Sequence, residues 1–137
     1  MKTILCHFYN EEYLLPWWLN HHKKIFDHGI MINYASTDSS VELIKHYCPS
    51  WQIVDSRNEF FQADLVDREV ESYEEKLTGA RIALNVTEFL YGDYKLLDNM
   101  ATSSEDQQLF IPTMMMFDPE FDRWYDPEKE LFETCQT

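Results

Sequence analysis

Four polar clusters in this chain each follow a short apolar run. They are Tyr9–Glu12, Asn33–Ser39, Asp55–Asn58 and Asn85–Glu88. Their amides, hydroxyls and carboxylates can exchange hydrogen bonds with a ligand, coordinate a hard cation or take up a proton. Four such clusters in the same local setting indicate a binding or catalytic site, provided that the fold brings them together.

Two of these clusters also have a purely structural interpretation. Asn10 is a suitable N-cap, and Glu11 and Glu12 are acids that favour the first turn of a helix. The Ser36–Asp38 stretch is typical of a turn, in which Asp38 could be a helix cap and a ligand at once. The sequence alone leaves both interpretations open.

The elements that would hold the clusters alternate along the chain. Short runs rich in β-formers predict strands, and amphipathic stretches predict helices, the first of which begins near Leu15 because Pro16 suits a first turn. A loop is predicted at 101–108. The other predicted elements are strands at 3–9, 29–34, 51–56, 81–90 and 109–117 and helices from about 15, at 40–48 and at 61–77.

Strands that alternate with helices predict an α/β fold with a mainly parallel sheet and right-handed crossovers. The carboxyl ends of parallel strands lie at one edge of the sheet, and ligands bind beyond that edge. We therefore expect the four polar clusters to meet there.

For three pairs of residues the default interpretation is a role outside the binding site. Adjacent residues on a helix diverge by about 100°, so His21 and His22 do not face one metal ion together. Trp17 and Trp18 are expected in the core. The acids Asp67 and Glu71 lie one turn apart on the third helix, where a solvated face is the default interpretation.

Composition limits the classes of function. A chain of 137 residues with 45% hydrophobic residues predicts one globular domain. A net charge of −14 repels nucleic acid and anionic membranes, so neither is an expected partner. Three cysteines without a CxxC pair favour a reducing, cytoplasmic compartment over a disulfide framework or a zinc site. No apolar run of about 18 residues and no signal-peptide pattern occur, so no membrane span is expected.

Several ordered motifs resemble a known enzyme family. FYNEE, INYASTDSS and IALNVTEFL, in this order, are similar to the nucleotide-sugar half of family 2-type glycosyltransferases. A bacterial and viral subgroup is more similar still, since it carries FYNEEYLLPWWL, a histidine pair, FDHGI and an STD turn. The resemblance covers about residues 3–118. It implies a GT-A fold, a Rossmann-like α/β/α arrangement of three layers, over residues 1–118, with 119–137 as an acidic tail.

The resemblance also implies a ligand and its site. The donor would be a nucleotide sugar such as a UDP- or GDP-sugar, and the acceptor a hydroxyl of a glycan or of another molecule. The family often has an aspartate at the position of Asn33. Residues implied to lie at the nucleotide are Tyr9, Asn10, Glu11, Glu12, Asn33, Ser36, Asp38 and Asp67.

The end of the fourth predicted strand departs from the family pattern. The family has an acidic DxD or DxDE cluster there, which holds Mn²⁺ or Mg²⁺ on the donor diphosphate, whereas this chain has Asn85, Thr87 and Glu88. Only Glu88 supplies an anionic oxygen, so we expect a divalent cation to bind weakly, with help from phosphates and water. Arg57 is the basic residue predicted near the diphosphate. Arg81 is excluded, since it begins the fourth strand and so lies at the opposite edge of the sheet.

The family's acceptor half and catalytic base normally follow the metal motif. Only 49 residues follow Glu88 here, so most of that half is expected to be absent. Asp118 and Asp122 are the candidate catalytic bases by position. Three hypotheses remain: a glycosyltransferase, a truncated non-catalytic module that binds a nucleotide or a protein partner, and one part of a larger catalytic assembly that is completed by missing residues, a second copy or another chain.

Overall fold

The structure is a computed structural model that describes residues 1–103, 111–113 and 129. Strands and helices alternate along the first of these ranges, so the predicted α/β class is confirmed. In chain order the elements are β1 (Lys2–Phe8), α1 (Leu15–His22), β2 (His28–Asn33), α2 (Ser40–Tyr47), β3 (Gln52–Asp55), α3 (Ala63–Glu74), β4 (Ala80–Ala83) and α4 (Lys95–Thr102).

The four strands form one parallel sheet in the order β3-β2-β1-β4. The chain first moves outward from β1 to β2 and β3, and then returns to add β4 on the other side of β1. The strand order therefore reverses between β1 and β4. In open α/β sheets such a reversal leaves a crevice at the carboxyl ends of the two strands, which is where ligands bind.

Helices cover both faces of the sheet, because successive residues of a strand point to opposite faces. On one face, Leu15 and Trp18 of α1 pack in a core that also includes residues of α2 and α4. On the other face, Leu5 of β1 packs against Val70 and Tyr73 of α3. The arrangement is compatible with a Rossmann-like fold.

Helix α1 begins at Leu15 with Pro16 in its first turn, as predicted. Asn10 does not cap this helix, so the capping interpretation, one of the two left open by the sequence, is excluded. The N-cap position is Leu14, without a side-chain capping bond, and Asn10 lies four residues earlier with a φ of 51°. The side chain of Asn10 instead accepts hydrogen bonds from the loop after β2.

The end of the described chain differs from the prediction. Strand β4 stops at Ala83, and Val86 and Thr87 lie in a turn rather than in an extended strand. The loop predicted at 101–108 is wrong at its start, because Ala101 and Thr102 complete α4, a helix that buries Leu97 in the core. The other residues of that loop and most of the predicted strand at 109–117 lie outside the described residues.

The helices are short. The longest helix among the described residues, α3, has 12 residues, whereas a helix needs roughly 20 to cross the apolar part of a bilayer. Within the described ranges, no helix combines the length and the apolar composition of a membrane span.

Candidate functional site

The four polar clusters share the carboxyl edge of the sheet, as the alternation predicted. All strands run in the same direction, and the register pairs Phe8 with Asn33 and Asn33 with Asp55, the last residues of β1, β2 and β3. The loops that follow these strands therefore start side by side at the edge where α/β sheets bind ligands.

Asn10 links the loop after β1 to the loop after β2. Its side-chain oxygen accepts the N–H of Thr37 at 2.8 Å and that of Asp38 at 3.3 Å, and its own N–H donates to the Ser36 hydroxyl at 3.1 Å. These bonds hold Asn10 in the left-handed region at φ 51°, which asparagine tolerates better than most residues. The loops are thus joined before any ligand binds.

Glu12 and Asp38 exchange bonds between the same two loops. Asp38 accepts the N–H of Glu12 at 3.0 Å, and Glu12 accepts the N–H of Ser39 at 3.0 Å. Burial opposes the ionisation of Asp38, but hydrogen bonds from Ser40 and from Glu12 outweigh it and lower the pKa of Asp38. Both carboxylates therefore help to build the edge.

Glu11 lies within this network with its carboxylate uncommitted. Its backbone N–H donates to the Ser40 hydroxyl at 2.8 Å, while its carboxylate makes no hydrogen bond with the described residues. Partial burial and the nearby charge of Asp38 raise the pKa of Glu11. Among the acids of the two loops, Glu11 is therefore the one that is free to bind a ligand.

Asn33 is buried, and its side-chain amide is hydrogen-bonded to other residues at the carboxyl edge of the sheet. Its amide nitrogen donates to Asp55 at 3.2 Å, and its amide oxygen accepts the N–H of Ser36 at 2.9 Å. Tyr9, in contrast, is exposed, and its ring meets the ring of Tyr34 edge-on with the centroids 6.2 Å apart. Tyr9 therefore offers an open ring face, while Asn33 shapes the loop beneath it.

A buried carboxylate that sequence reasoning missed organises the loop after β3. Glu69 is 3% exposed and accepts bonds from the Ser56 hydroxyl at 2.6 Å, the Arg57 N–H at 2.8 Å and the Asn58 amide at 2.9 Å. Burial opposes its ionisation, but the bonds from Ser56 and Arg57 and the charge of the Arg57 guanidinium, 3.2 Å away, lower its pKa. Arg57, expected near a diphosphate, is therefore paired with Glu69.

The sequence did contain a signal for Glu69. The residue lies four positions after Leu65 and four before Tyr73, which are two of the apolar residues of the amphipathic stretch at 61–77. Positions four apart share one helix face, so this spacing turns Glu69 toward the protein. An acid at such a position needs hydrogen-bond partners, which the loop after β3 supplies.

Asn85–Glu88 forms a closed turn. The Glu88 N–H donates to the Asn85 carbonyl at 2.9 Å, and the Asn85 N–H donates to the Glu88 carboxylate at 2.8 Å. The indole N–H of Trp18 donates to both carbonyl oxygens, at 3.1 Å for Asn85 and 2.9 Å for Glu88. These bonds turn the backbone away from the sheet, which explains the early end of β4.

His21 and His22 hold the residues after this turn. The Leu90 N–H donates to Nε2 of His22 at 3.2 Å, so Nδ1 carries the proton and donates to the Trp18 carbonyl at 2.9 Å. Nε2 of His21 lies 2.6 Å from the Leu90 carbonyl oxygen. Burial, and secondarily His21, lower the pKa of His22 to about 3. The pair therefore has a structural role.

A cleft of about 340 Å³ opens at the reversal point between β1 and β4. Its apolar walls come from β1, α3 and the end of β4. The polar side chains on its lining are His7, Asp67, Glu71, Asn85 and Glu88. Of these five, Asp67, Asn85 and Glu88 were predicted as site residues, and His7 and Glu71 were not.

The cleft is acidic. Three carboxylates line it, and its described lining includes no lysine or arginine. Burial lowers the pKa of His7, although the charge of Glu69 partly offsets the effect, so His7 is neutral near pH 7. Nε2 of His7 is buried and has no hydrogen-bond partner among the described residues. Hydrogen-bond donors of a ligand complement this lining better than bare anions do.

The predicted metal cluster supplies one anionic residue, Glu88, and one of its oxygens already accepts the Asn85 N–H. Asn85 and Thr87 are exposed and neutral. In the part of the chain that the structure describes, no three histidine, cysteine, aspartate or glutamate side chains converge as a metal site. These side chains alone do not fit a divalent cation, which prefers several anionic oxygens.

The chain matches no protein-family model and no curated protein. The chemistry of the site therefore stands on its own residues. Of the predicted site residues, the cleft brings together Asp67, Asn85 and Glu88, while Asn10, Glu12, Ser36 and Asp38 join the loops after β1 and β2 at the same edge of the sheet. Asp118 and Asp122, the predicted catalytic bases, and the predicted boundary at residue 118 lie outside the described residues.

Proposed function

We propose that this chain is a glycosyltransferase of GT-A fold that binds a nucleoside diphosphate sugar in the cleft between β1 and β4. The sugar would pass to a hydroxyl of a glycan or of another acceptor. One observation carries the proposal: the cleft lies where the strand order reverses, with Asp67, Asn85 and Glu88 on its lining. The motifs FYNEE, STD and NVTEF, on which the family resemblance rests, belong to loops of the same edge.

The reaction is an in-line displacement at the anomeric carbon. The acceptor oxygen bonds to that carbon while the bond from the carbon to the diphosphate oxygen breaks, with inversion. The proton of the acceptor hydroxyl passes to a carboxylate, for which Asp118 and Asp122 remain the candidates by position. The carboxylates of the cleft would accept hydrogen bonds from the nucleotide rather than contact its phosphates.

A Mn²⁺ or Mg²⁺ ion on the donor diphosphate stays a prediction. The acidic lining would repel a diphosphate unless positive charge lay beside it, and a divalent ion would supply that charge. Glu88 is the anionic candidate ligand, with neutral oxygens of Asn85 and Thr87 next to it in sequence. No step above depends on this ion.

A non-catalytic module that binds the nucleotide, or a protein partner, is the second candidate. The lining of the cleft favours it, because its described part has no lysine or arginine to stabilise a leaving diphosphate, and Arg57, the predicted cation, is paired with Glu69. A second copy or a partner chain that contributes the missing groups would restore catalysis. Either form would meet nucleotide sugars in the cytoplasm.

Thermal unfolding with UDP-, GDP- and dTDP-sugars, each with and without Mn²⁺, tests the proposal. A ligand at one hundred times its dissociation constant stabilises the folded state by about 2.7 kcal/mol. Stabilisation together with sugar transfer or donor hydrolysis supports the enzyme, and stabilisation without either supports the module. No stabilisation by any of the donors contradicts both.

The metal assignment has its own variant. Glu88→Ala should remove the Mn²⁺-dependent part of the stabilisation and leave the rest. Glu75→Ala, an exposed acid at the far end of α3, is the matched control for lost charge. A Mn²⁺ effect that persists in Glu88→Ala would show that Glu88 is not the ligand.

A further inference from the structure

Two carboxylates of the cleft are not used by the protein. Asp67 and Glu71 line the cleft and make no hydrogen bond or ion pair with another described residue. They lie at positions i and i+4 of α3 and so share one face of the helix. The third carboxylate of the cleft, Glu88, already accepts the Asn85 N–H. Asp67 and Glu71 are therefore the acceptors left for a ligand.

Of the two, Asp67 is the better placed to contact a ligand. Helix α3 follows β3, so its first residues lie near the carboxyl edge and its later residues run back along the sheet. Asp67 is in the second turn, and Glu71 is one turn further from the edge. A ligand that enters the cleft from the edge would reach Asp67 first.

The remaining walls suit a flat, apolar-faced group. Aliphatic side chains from three elements border the cleft around its acids. They are Leu5 of β1, Val66 and Val70 of α3, and Ala83 and Leu84 at the end of β4. A pocket with apolar walls and a few polar groups at its rim fixes the orientation of a planar ring through the edge of that ring.

The edge of guanine matches a carboxylate better than the edge of any other common base. Its N1–H and N2–H₂ are adjacent donors, which can bind both oxygens of one carboxylate. Uracil and thymine offer a single N–H between two carbonyl oxygens. Adenine and cytosine offer an amino group beside a ring nitrogen that accepts. Both of these patterns point an acceptor at the carboxylate, which costs affinity because acceptors repel each other.

We propose that the cleft selects a guanine nucleotide and that Asp67 is the specificity-determining residue. This inference rests on the proposed nucleotide-binding function and narrows the donor to a GDP-sugar. The carboxylate of Asp67 accepts the N1–H and N2–H₂ of the base, while the aliphatic side chains of β1, α3 and β4 contact the ring faces.

Binding of GDP, UDP, ADP, CDP and xanthosine diphosphate (XDP), with and without Mn²⁺, tests the inference by calorimetry. The unmodified chain should bind GDP most tightly. Asp67→Asn should weaken GDP by roughly tenfold, the usual size of one bidentate base contact, and should strengthen XDP. Xanthine has a carbonyl in place of the N2 amino group, so it pairs with the donor and acceptor of an asparagine amide.

Asp64→Asn is the matched control, because it removes the same charge from the exposed first turn of the same helix, outside the lining of the cleft. It should leave the preference for GDP over XDP unchanged. Equal loss of all nucleotides in Asp67→Asn would mean that Asp67 binds a common part such as the ribose, and would overturn the inference. Tighter binding of UDP than GDP by the unmodified chain would overturn it while leaving the proposed function intact. Binding of none of the nucleotides would remove the proposed function and the inference together.

Discussion

The indole N–H of Trp18 donates to two backbone carbonyl oxygens at once, that of Glu88 at 2.9 Å and that of Asn85 at 3.1 Å. Trp18 is fully buried. This contact attaches the turn after β4 to α1, across the core of the protein. One side chain of the core thus determines the position of a turn that lines the candidate site.

Trp18→Phe tests the value of that contact. Phenylalanine fills part of the same space but has no N–H, so it leaves both carbonyl groups without their donor. We expect the free energy of unfolding, measured by urea titration, to fall by about 1–3 kcal/mol more than in Trp51→Phe. The indole of Trp51 makes no hydrogen bond within the described residues, which makes that variant the control for lost ring volume. Equal costs for the two variants would contradict the assigned role.

Asn10 should matter for stability through both its backbone and its side chain. Asn10→Ala and Asn10→Gly each remove the bonds to Thr37 and Asp38, but only alanine also strains the left-handed backbone. We expect both variants to lower the free energy of unfolding, with alanine lower than glycine by about 1 kcal/mol. Chemical denaturation measures the difference. Stability equal to the unmodified chain in both variants would show that the link between the loops is dispensable.

Glu69→Gln should destabilise the chain by about 1–3 kcal/mol, because a buried carboxylate with several donors loses its charge-assisted bonds. The lowered pKa of Glu69 adds a pH dependence. Its contribution is present above the pKa in the unfolded chain and is lost as the pH falls through the lower folded pKa. The glutamine variant should lack this component. Glu71→Gln, at an exposed position of the same helix and with no hydrogen-bond partner for its carboxylate among the described residues, should change stability by no more than about 0.5 kcal/mol.

His22 predicts a second loss of stability in acid. Its pKa is lowered to about 3 in the folded chain, whereas an exposed histidine titrates near 6.5. Between these values the unfolded chain binds a proton that the folded chain does not. Stability due to His22 is therefore complete above about pH 6.5 and falls as the pH drops toward 3, with a slope approaching 1.4 kcal/mol per pH unit.

Urea titrations at several pH values, on the unmodified chain and on His22→Gln, measure this component. Glutamine can replace both hydrogen bonds of the ring but does not titrate, so its stability should fall less steeply over the same range. His46→Gln, which lies in the exposed last turn of α2, is the control. An identical pH dependence in His22→Gln and in the unmodified chain would exclude His22 as the titrating group.

Local pattern was sufficient for the architecture up to β4. Apolar runs of strand length alternate with amphipathic stretches, and only a parallel sheet with helices on its faces buries both kinds of element. The start of α1 at Leu15 and the common edge of the four polar clusters follow from the same pattern. These features depend on residues that are near one another in sequence, so the sequence by itself determined them.

Tertiary contacts decided what each polar residue at that edge does. Asn10 became a link between loops because Thr37, 27 residues away, offers its N–H. Strand β4 ended early because Trp18 lies 70 residues before Glu88 in the chain and 2.9 Å from its carbonyl oxygen. The cleft exists because β4 lies beside β1 in the sheet, and no local spacing in the sequence encodes that strand order. A buried polar group must find a partner wherever the fold brings one, so the roles of these residues were settled only when distant segments met.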